Sequence, residues 1–234
     1  MTHLERYQFQ GYPGRTASED PDLVDAVSFV FSNSFGTNPK THKPYRLGPK
    51  TTRKRLALAH HLFLASHNET ARAVGYLFAT EIPYSKGFVG WIDSLAVLPQ
   101  HRRKGIGTRL VQIFSDHFSR VQWVGCATPN PIAVLVVTRA VKGKAYVGQG
   151  TTTAELVSMI NEIRPLCQDL SGVDFNPNSL LVRTQFHPSD TGDNREWSPP
   201  HPTEPPPWWS SLENLQGQDE ALLLVKKPQG HEET

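Results

Sequence analysis

The stretch 98-LPQHRRKGIGTRLV-111 sets two glycines one residue apart behind three basic residues, with an amphipathic run after them. A turn that passes directly into a helix leaves the first amide N–H groups of that helix without partners, all pointing the same way. The helix dipole adds positive potential at that point, and glycine lets an anion approach the backbone closely. Arg102, Arg103 and Lys104 contribute formal charge. Residues of these types at this spacing support the binding of a phosphate or a pyrophosphate.

Two familiar phosphate patterns are excluded by spacing. Gly-x4-Gly-Lys-Ser/Thr is absent, and Leu110 stands where Gly-x-Gly-x-x-Gly needs its third glycine. His60, His61 and His67 have no cysteine or paired acid at ligand spacing, so they read as strand or cleft histidines and no metal is expected. As strand residues, His61 and His67 share one face and His60 takes the other. A role for one of them as a base stays open. The run 40-KTHKPYRLGPKTTRKR-55 reads either as a solvated loop and helix face or as a lid over an anionic ligand.

These residues need a scaffold, and periodicity supplies one. LERYQFQGY alternates like a strand and meets a turn at Pro13-Gly14. Residues 21–35 repeat apolar positions at helical spacing, with Gly36 as a stop. A short helix to about Ala59 is followed by strands HLFLASH, ARAVGYLFATEI and GWIDSLAV, joined by turns at Asn68-Glu69 and Pro83. Short links imply an antiparallel meander. The basic glycine stretch then opens a helix to about Ser119, VQWVGCA is a strand, and IAVLVVTRAV is a buried helix ended by Gly143. A strand-helix-strand unit of this kind pairs in parallel through a right-handed crossover. Beyond it, TAELVSMINEIRPL is helical, SLLVRTQF and EALLLV are strands, and 190–209 is a long loop rich in proline, aspartate and tryptophan. Trp197, Trp208 and Trp209 are expected to pin that loop to the domain.

The fold class is therefore mixed α/β (α+β). Its central sheet is mostly antiparallel, with about six to seven strands and flanking helices. The chain of 234 residues has a net charge of only +2, too little for a protein that coats nucleic acid. Two cysteines make no disulfide framework, and the polar N-terminus is no signal peptide. No apolar run reaches membrane-spanning length. The expectation is a soluble, cytoplasmic protein without nucleic-acid or membrane partners; a homodimer stays open.

Val-x-Pro-x-x-Arg-x-x-Gly-x-Gly, from Val97 to Gly107, resembles the corresponding loop of GNAT acetyltransferases, and 126-CATPNPIAVLVVTRA-140 resembles their next element. The resemblance covers roughly residues 4–142. It implies a single domain over 1–226, with a C-terminal elaboration and closing strands in 143–226 and a disordered tail at 227–234. SLLVRTQF and EALLLV serve as the closing strand pair. The implied cofactor is acetyl-CoA or another acyl-CoA. Arg102, Arg103, Lys104, Gly105, Ile106, Gly107 and Thr108 would wrap its pyrophosphate. Leu95, Ala96 and Val97 would hold its pantetheine arm through backbone groups, and Asn130 would start the helix that borders it.

The implied reaction is direct transfer of the acyl group to an amine of a small molecule. An N–H near Leu95 would serve as oxyanion donor, and proximity would supply much of the barrier reduction. Asp93, Ser94 and Glu81 are the candidate catalytic residues, as proton acceptors or as holders of a water. Many members of the family carry a tyrosine seven residues after the asparagine, and this chain has Val137 there. Tyr146 and Cys126 are the candidate replacements. The departure keeps two alternatives open: a scaffold turned to condensation or cyclisation, and a CoA- or small-molecule-binding module without turnover.

Overall fold

Alternation in the first strand is realised as β1 (Tyr7–Pro13), which pairs antiparallel with β2 (His61–His67) in a register running from Tyr7↔His67 to Pro13↔His61. The computed structural model describes residues 3–35, 43–148, 152–183 and 219–228, together with 206, 208, 209, 212 and 215. β3 (Ala73–Tyr84) and β4 (Gly87–Val97) complete the meander expected from the short links. β3 runs through Pro83, where a turn was expected. Strand β2 ends opposite Ala79, so the missing N–H of Pro83 faces no neighbouring strand.

Three helices connect β1 to β2. The six-residue α1 (Gly14–Glu19) replaces the expected turn. Its cause is tertiary: a Cβ on Gly14 would lie 2.0 Å from the Ala59 carbonyl oxygen, so glycine alone allows this close approach. α2 (Pro21–Ser32) starts at Asp20, whose carboxylate accepts the N–H groups of Asp22 and Leu23, with Pro21 at the first helical position. It buries Val24, Val27 and Val30. α3 (Pro49–Leu58) is tied to α2 by a 2.7 Å hydrogen bond between Ser28 and Thr52, both buried.

After the meander, α4 (Ile106–His117) leads to β5 (Trp123–Thr128), which runs parallel to β4, as the strand-helix-strand reading requires. Gly90 lets α4 lie close on β4, since a Cβ there would come 2.5 Å from the Phe114 ring. α5 (Pro131–Val141), β6 (Lys144–Val147), α6 (Ala154–Ile163), β7 (Asp174–Asn176), β8 (Leu181–Arg183) and β9 (Asp219–Lys226) follow. The described sheet has nine strands, in the order β1-β2-β3-β4-β5-β9-β8-β7, with β6 also on β9. The excess over six to seven comes mainly from β6 and β7, whose four and three residues are too few to show a period.

The closing strands pair with each other as expected, β8 antiparallel to β9, though β8 is only three residues long. β9 inserts between β5 and β6, and β8 continues the same outer edge beyond β6. The segment between β6 and β9 is thus inserted between two paired strands. Its apolar side chains Leu156, Met159, Ile160, Ile163, Cys167 and Leu170 join Trp91 and Trp123 in a separate buried cluster. They cover the sheet face opposite α4. The 190–209 loop lies outside the described residues except Pro206, Trp208 and Trp209, and so do Trp197 and the tail from 229. Trp209 is buried, in keeping with a pinning role.

Candidate functional site

Strands β4 and β5 pair only at Val89↔Trp123, Gly90↔Val124 and Trp91↔Gly125. Beyond Trp91 they part, and the rest of β4, Ile92 to Val97, borders a gap rather than a neighbour. The direction of the backbone groups there follows from the ladder with β3. Leu98 donates its N–H to the Val74 carbonyl, so alternation turns Ala96 toward Tyr76 and turns Leu95 and Val97 away from β3, into the gap. Of the three backbones expected to line the gap, two do so, and Ala96 is committed to the sheet.

At the C-terminal ends of this parallel pair two helices begin. α4 is entered through Gly105, which adopts φ +83° and gives no side-chain cap. Arg109 N–H to Gly105 O is the first bond of the helix. The amides of Ile106, Gly107 and Thr108 therefore precede the ladder and point outward. Gly107 has ordinary backbone dihedrals, and a Cβ on it would meet only Val136 and Val97, at 3.5–4.0 Å. The fold does not require glycine there, and the missing Cβ leaves the helix start open to close approach by an anion. α5 is entered through Asn130, whose Oδ1 accepts the Ile132 N–H and whose own N–H bonds Thr128 Oγ1. Asn130 is thus a helix cap, and it sets the second helix start beside the gap.

The basic residues divide into two kinds. Arg102 turns inward: its Nε bonds Val97 O and its Nη2 bonds Ser34 O, both at 2.8 Å. Burial lowers its pKa to about 10. Its guanidinium braces the turn. Arg103, in the left-handed region at φ +61°, is exposed. Lys104 folds back to Gln100 O. Ahead of the turn, Tyr7 bonds His101 Nδ1 at 3.0 Å and His67 packs edge-on against both rings. The turn is therefore held from two sides before it meets any ligand.

At the root of the gap β4 carries a bulge. Phe78 pairs with Ser94 and Ala79 with Ile92, leaving Asp93 as the extra residue. The bulge puts Asp93 and Ser94, although adjacent, on the same face of the sheet. Asp93 Oδ2 accepts from Thr80 Oγ1 at 2.8 Å, and Oδ1 is buried without a partner. Burial raises the Asp93 pKa to about 7, against the hydrogen bond from Thr80, with the charge of Asp169 adding to the rise. Ser94 Oγ is 2.9 Å from Tyr76 Oη, whose pKa burial also pushes up.

Glu81 does not join them. Thr80 shares the Asp93 face, so its strand neighbour Glu81 lies on the other. There Glu81 forms an ion pair with Arg120 while its N–H bonds His60 Nδ1. His61 stacks among Phe63, His117 and Phe118, on the same face of β2 as His67 by alternation, while His60 lies just before the strand. No metal-binding group of three occurs among the described residues. Val137 is a core residue, 1% exposed. Neither candidate replacement reaches the bulge. Tyr146 packs on Trp123, and Cys126 is a buried thiol whose pKa burial raises to about 12. In the basic run, Arg53 bonds Ser18 O and so ties α3 to α1.

Thr80, Tyr76, Arg55 and Asp169 were missed by the sequence reading. Arg55 Nη2 and Asp169 Oδ1 stand 3.9 Å apart. Nothing in sequence links residues 55, 80, 93 and 169; only the bulge and the inserted segment bring them together.

Residues 28–139 match the acetyltransferase (GNAT) family. No curated protein matches the chain by sequence. Among solved structures, the chain is similar to the ribosomal-protein-S18-alanine N-acetyltransferase of Escherichia coli, at 9% identity over 97% of this chain and 98% of that one, with a TM-score of 0.46. It is also similar to the diaminobutyrate acetyltransferase of Paenibacillus lautus in complex with L-2,4-diaminobutyric acid and coenzyme A, at 13% identity over 94% of both chains and a TM-score of 0.45. A NatC complex bound to Gag peptide and CoA aligns at 16% identity over 60% of this chain and 88% of that one, again at 0.45. No helix among the described residues is long and apolar enough to cross a membrane.

Proposed function

Because residues 28–139 match the acetyltransferase (GNAT) family, we propose that the protein moves an acetyl or other acyl group from coenzyme A to an amine of a small molecule by direct attack. The observation that carries this reading is the parting of β4 from β5 beyond Trp91, with unpaired helix-start amides at one end of the gap and Asp93 at the other.

The residues present fit the cofactor. The amides of Ile106, Gly107 and Thr108, with Arg103 beside them, suit a pyrophosphate, and the Leu95 carbonyl and Val97 N–H suit an amide-bearing arm. When bound, acyl-CoA supplies an acyl group activated as a thioester. The chain's own residues do the rest. Asp93 Oδ1, which lacks a donor, accepts a proton from the incoming ammonium. Thr80 fixes the rotation of that carboxylate. The Leu95 N–H is the donor available for negative charge on the carbonyl oxygen under attack. Ser94, backed by Tyr76, is the hydroxyl at the bulge that can return a proton to the leaving sulfur.

Two measurements test the reading. Calorimetry with coenzyme A and acetyl-CoA should give heat with 1:1 stoichiometry, and thiol release from acetyl-CoA should depend on an added amine. Absence of heat defeats the assignment. Heat without amine-dependent thiol release favours a second reading, a scaffold turned to another reaction or to binding alone, which the valine at 137 in place of the family's tyrosine motivates.

A further inference from the structure

The segment inserted between β6 and β9 does more than cover the sheet. Its short 3-10 turn, Arg164–Leu166, is followed by Cys167 and Leu170, both buried in the cluster that contains Trp91. Trp91 is two residues from Asp93 on the same strand face. The backbone N–H groups of Leu170 and Ser171 both close on Cys167 O, at 3.2 and 3.1 Å. Asp169 is thus held between two buried anchors, close to the bulge. Its field reaches Asp93 and Cys167, and its carboxylate faces Arg55 of α3 across 3.9 Å.

That ion pair is long, and each side chain is 37% exposed. A half-exposed pair of this kind contributes little to stability, and either partner is open to exchange. Asp93, which feels the charge of both partners, has a buried carboxylate oxygen, Oδ1, without a hydrogen-bond donor. Two of the exposed large apolar side chains lie within three residues of the pair along the chain. Leu58 (53%) stands one turn from Arg55 on α3, and Leu166 (56%) stands three residues before Asp169. Arg55 acts on both carboxylates, so the group carries an excess of negative charge once Asp93 and Asp169 are both ionised.

Resting on the proposed acyl-transfer reading, we propose that Asp169 is the acceptor-specificity residue of this cleft. It selects an amine that arrives as an ammonium on an apolar body, and Arg55 is the counter-ion that the acceptor displaces. The apolar body lies along Leu58 and Leu166, and the ammonium passes from Asp169 to Asp93, where it gives up its proton.

The probe is hexylamine, with hexanoate as the same apolar body of opposite charge. Hexylamine should raise the melting temperature of the full-length protein and hexanoate should not. Asp169→Asn should abolish that rise, Asp169→Glu should restore part of it, and Arg55→Gln should strengthen it, because Asp169 then has no resting partner. With acetyl-CoA as donor, Asp169→Asn should raise KM for hexylamine at least tenfold and leave KM for acetyl-CoA unchanged. The proposal is overturned if hexylamine does not stabilise the wild type, if Asp169→Asn responds equally, or if hexanoate is the ligand that stabilises. Coenzyme A calorimetry separates the two readings. Its failure in the wild type removes the acyl-transfer assignment and leaves the amine response standing, whereas unchanged heat in an Asp169→Asn variant indifferent to hexylamine removes this inference alone.

Discussion

Thr80 Oγ1 donates to Asp93 Oδ2 at 2.8 Å, and it is the hydrogen-bond donor that the described residues give this carboxylate. One neutral hydroxyl does not offset burial, so the Asp93 pKa rises to about 7. The groups facing it are Thr80, Asp169, Arg55 and the Cys167 thiol. If Asp93 is the base, kcat/KM for an amine acceptor rises with pH through about 7 with unit slope, and Asp93→Asn loses that limb along with most of kcat. A pH–rate profile of both proteins checks this.

The same shift fixes a stability signature. A carboxyl whose folded pKa lies above its unfolded value binds more protons folded than unfolded between the two. Stability therefore falls as pH rises from about 4 to about 7. Asp93→Asn removes the penalty. Its melting temperature should exceed that of the wild type by about 5 °C at pH 8 and match it near pH 4. A lower melting temperature at both pH values would show that the carboxylate is structurally required.

The two loop glycines separate folding from binding. Gly105 sits at φ +83°, so Gly105→Ala costs roughly 1–2 kcal/mol through the left-handed backbone alone. Gly107 is helical with room for a methyl group, so Gly107→Ala is neutral or gains up to about 1 kcal/mol. The same methyl group projects beside the outward amides, and coenzyme A affinity should fall at least tenfold. Denaturation midpoints and calorimetry on the two variants give opposite rankings if the helix start is the pyrophosphate site.

Adjacent arginines should behave differently. Arg102 is braced on Val97 O and Ser34 O, and a charged donor lost from two carbonyls costs about 2 kcal/mol. Arg102→Lys should recover little, because one ammonium cannot reproduce the fork. Arg103 is exposed, and Arg103→Ala should leave the melting temperature within about 1 °C while weakening coenzyme A binding in a salt-dependent way.

Much of this arrangement is legible in the sequence. The meander, the parallel unit and the helix start at residue 106 announce themselves through period-2 and period-3.6 patterns and through paired glycines. The bulge at Asp93 does not, since one extra residue in a strand changes no hydrophobic pattern; yet it is what turns Asp93 and Ser94 to the same face and leaves Glu81 on the other. In the inserted segment the 3.6 period of α6 was legible, but its place in the fold was not. β6 and β7 are too short to show a period, and the pairing of β9 between β5 and β6 is a tertiary choice. Asp169 sits in a turn whose composition, QDLSG, reads as solvent-facing. Only the burial of Cys167 and Leu170 on either side brings it to Arg55 and within the field of Asp93.

Ser94 and Val137 bear on the remaining proton. Val137 is a core side chain with 1% exposure, so it is not a vacated catalytic position. Val137→Tyr should therefore destabilise by about 1–3 kcal/mol through overpacking and should not raise kcat. Ser94 keeps partial access to the bulge while Tyr76 supports it from the core at 2.9 Å. Ser94→Ala should lower kcat with little change in KM for acetyl-CoA. The loss should be smaller with a thioester whose thiol is more acidic, such as a thiophenol ester, because a better leaving group needs no proton. Equal losses with both donors would place Ser94 in the scaffold and leave the leaving sulfur to solvent.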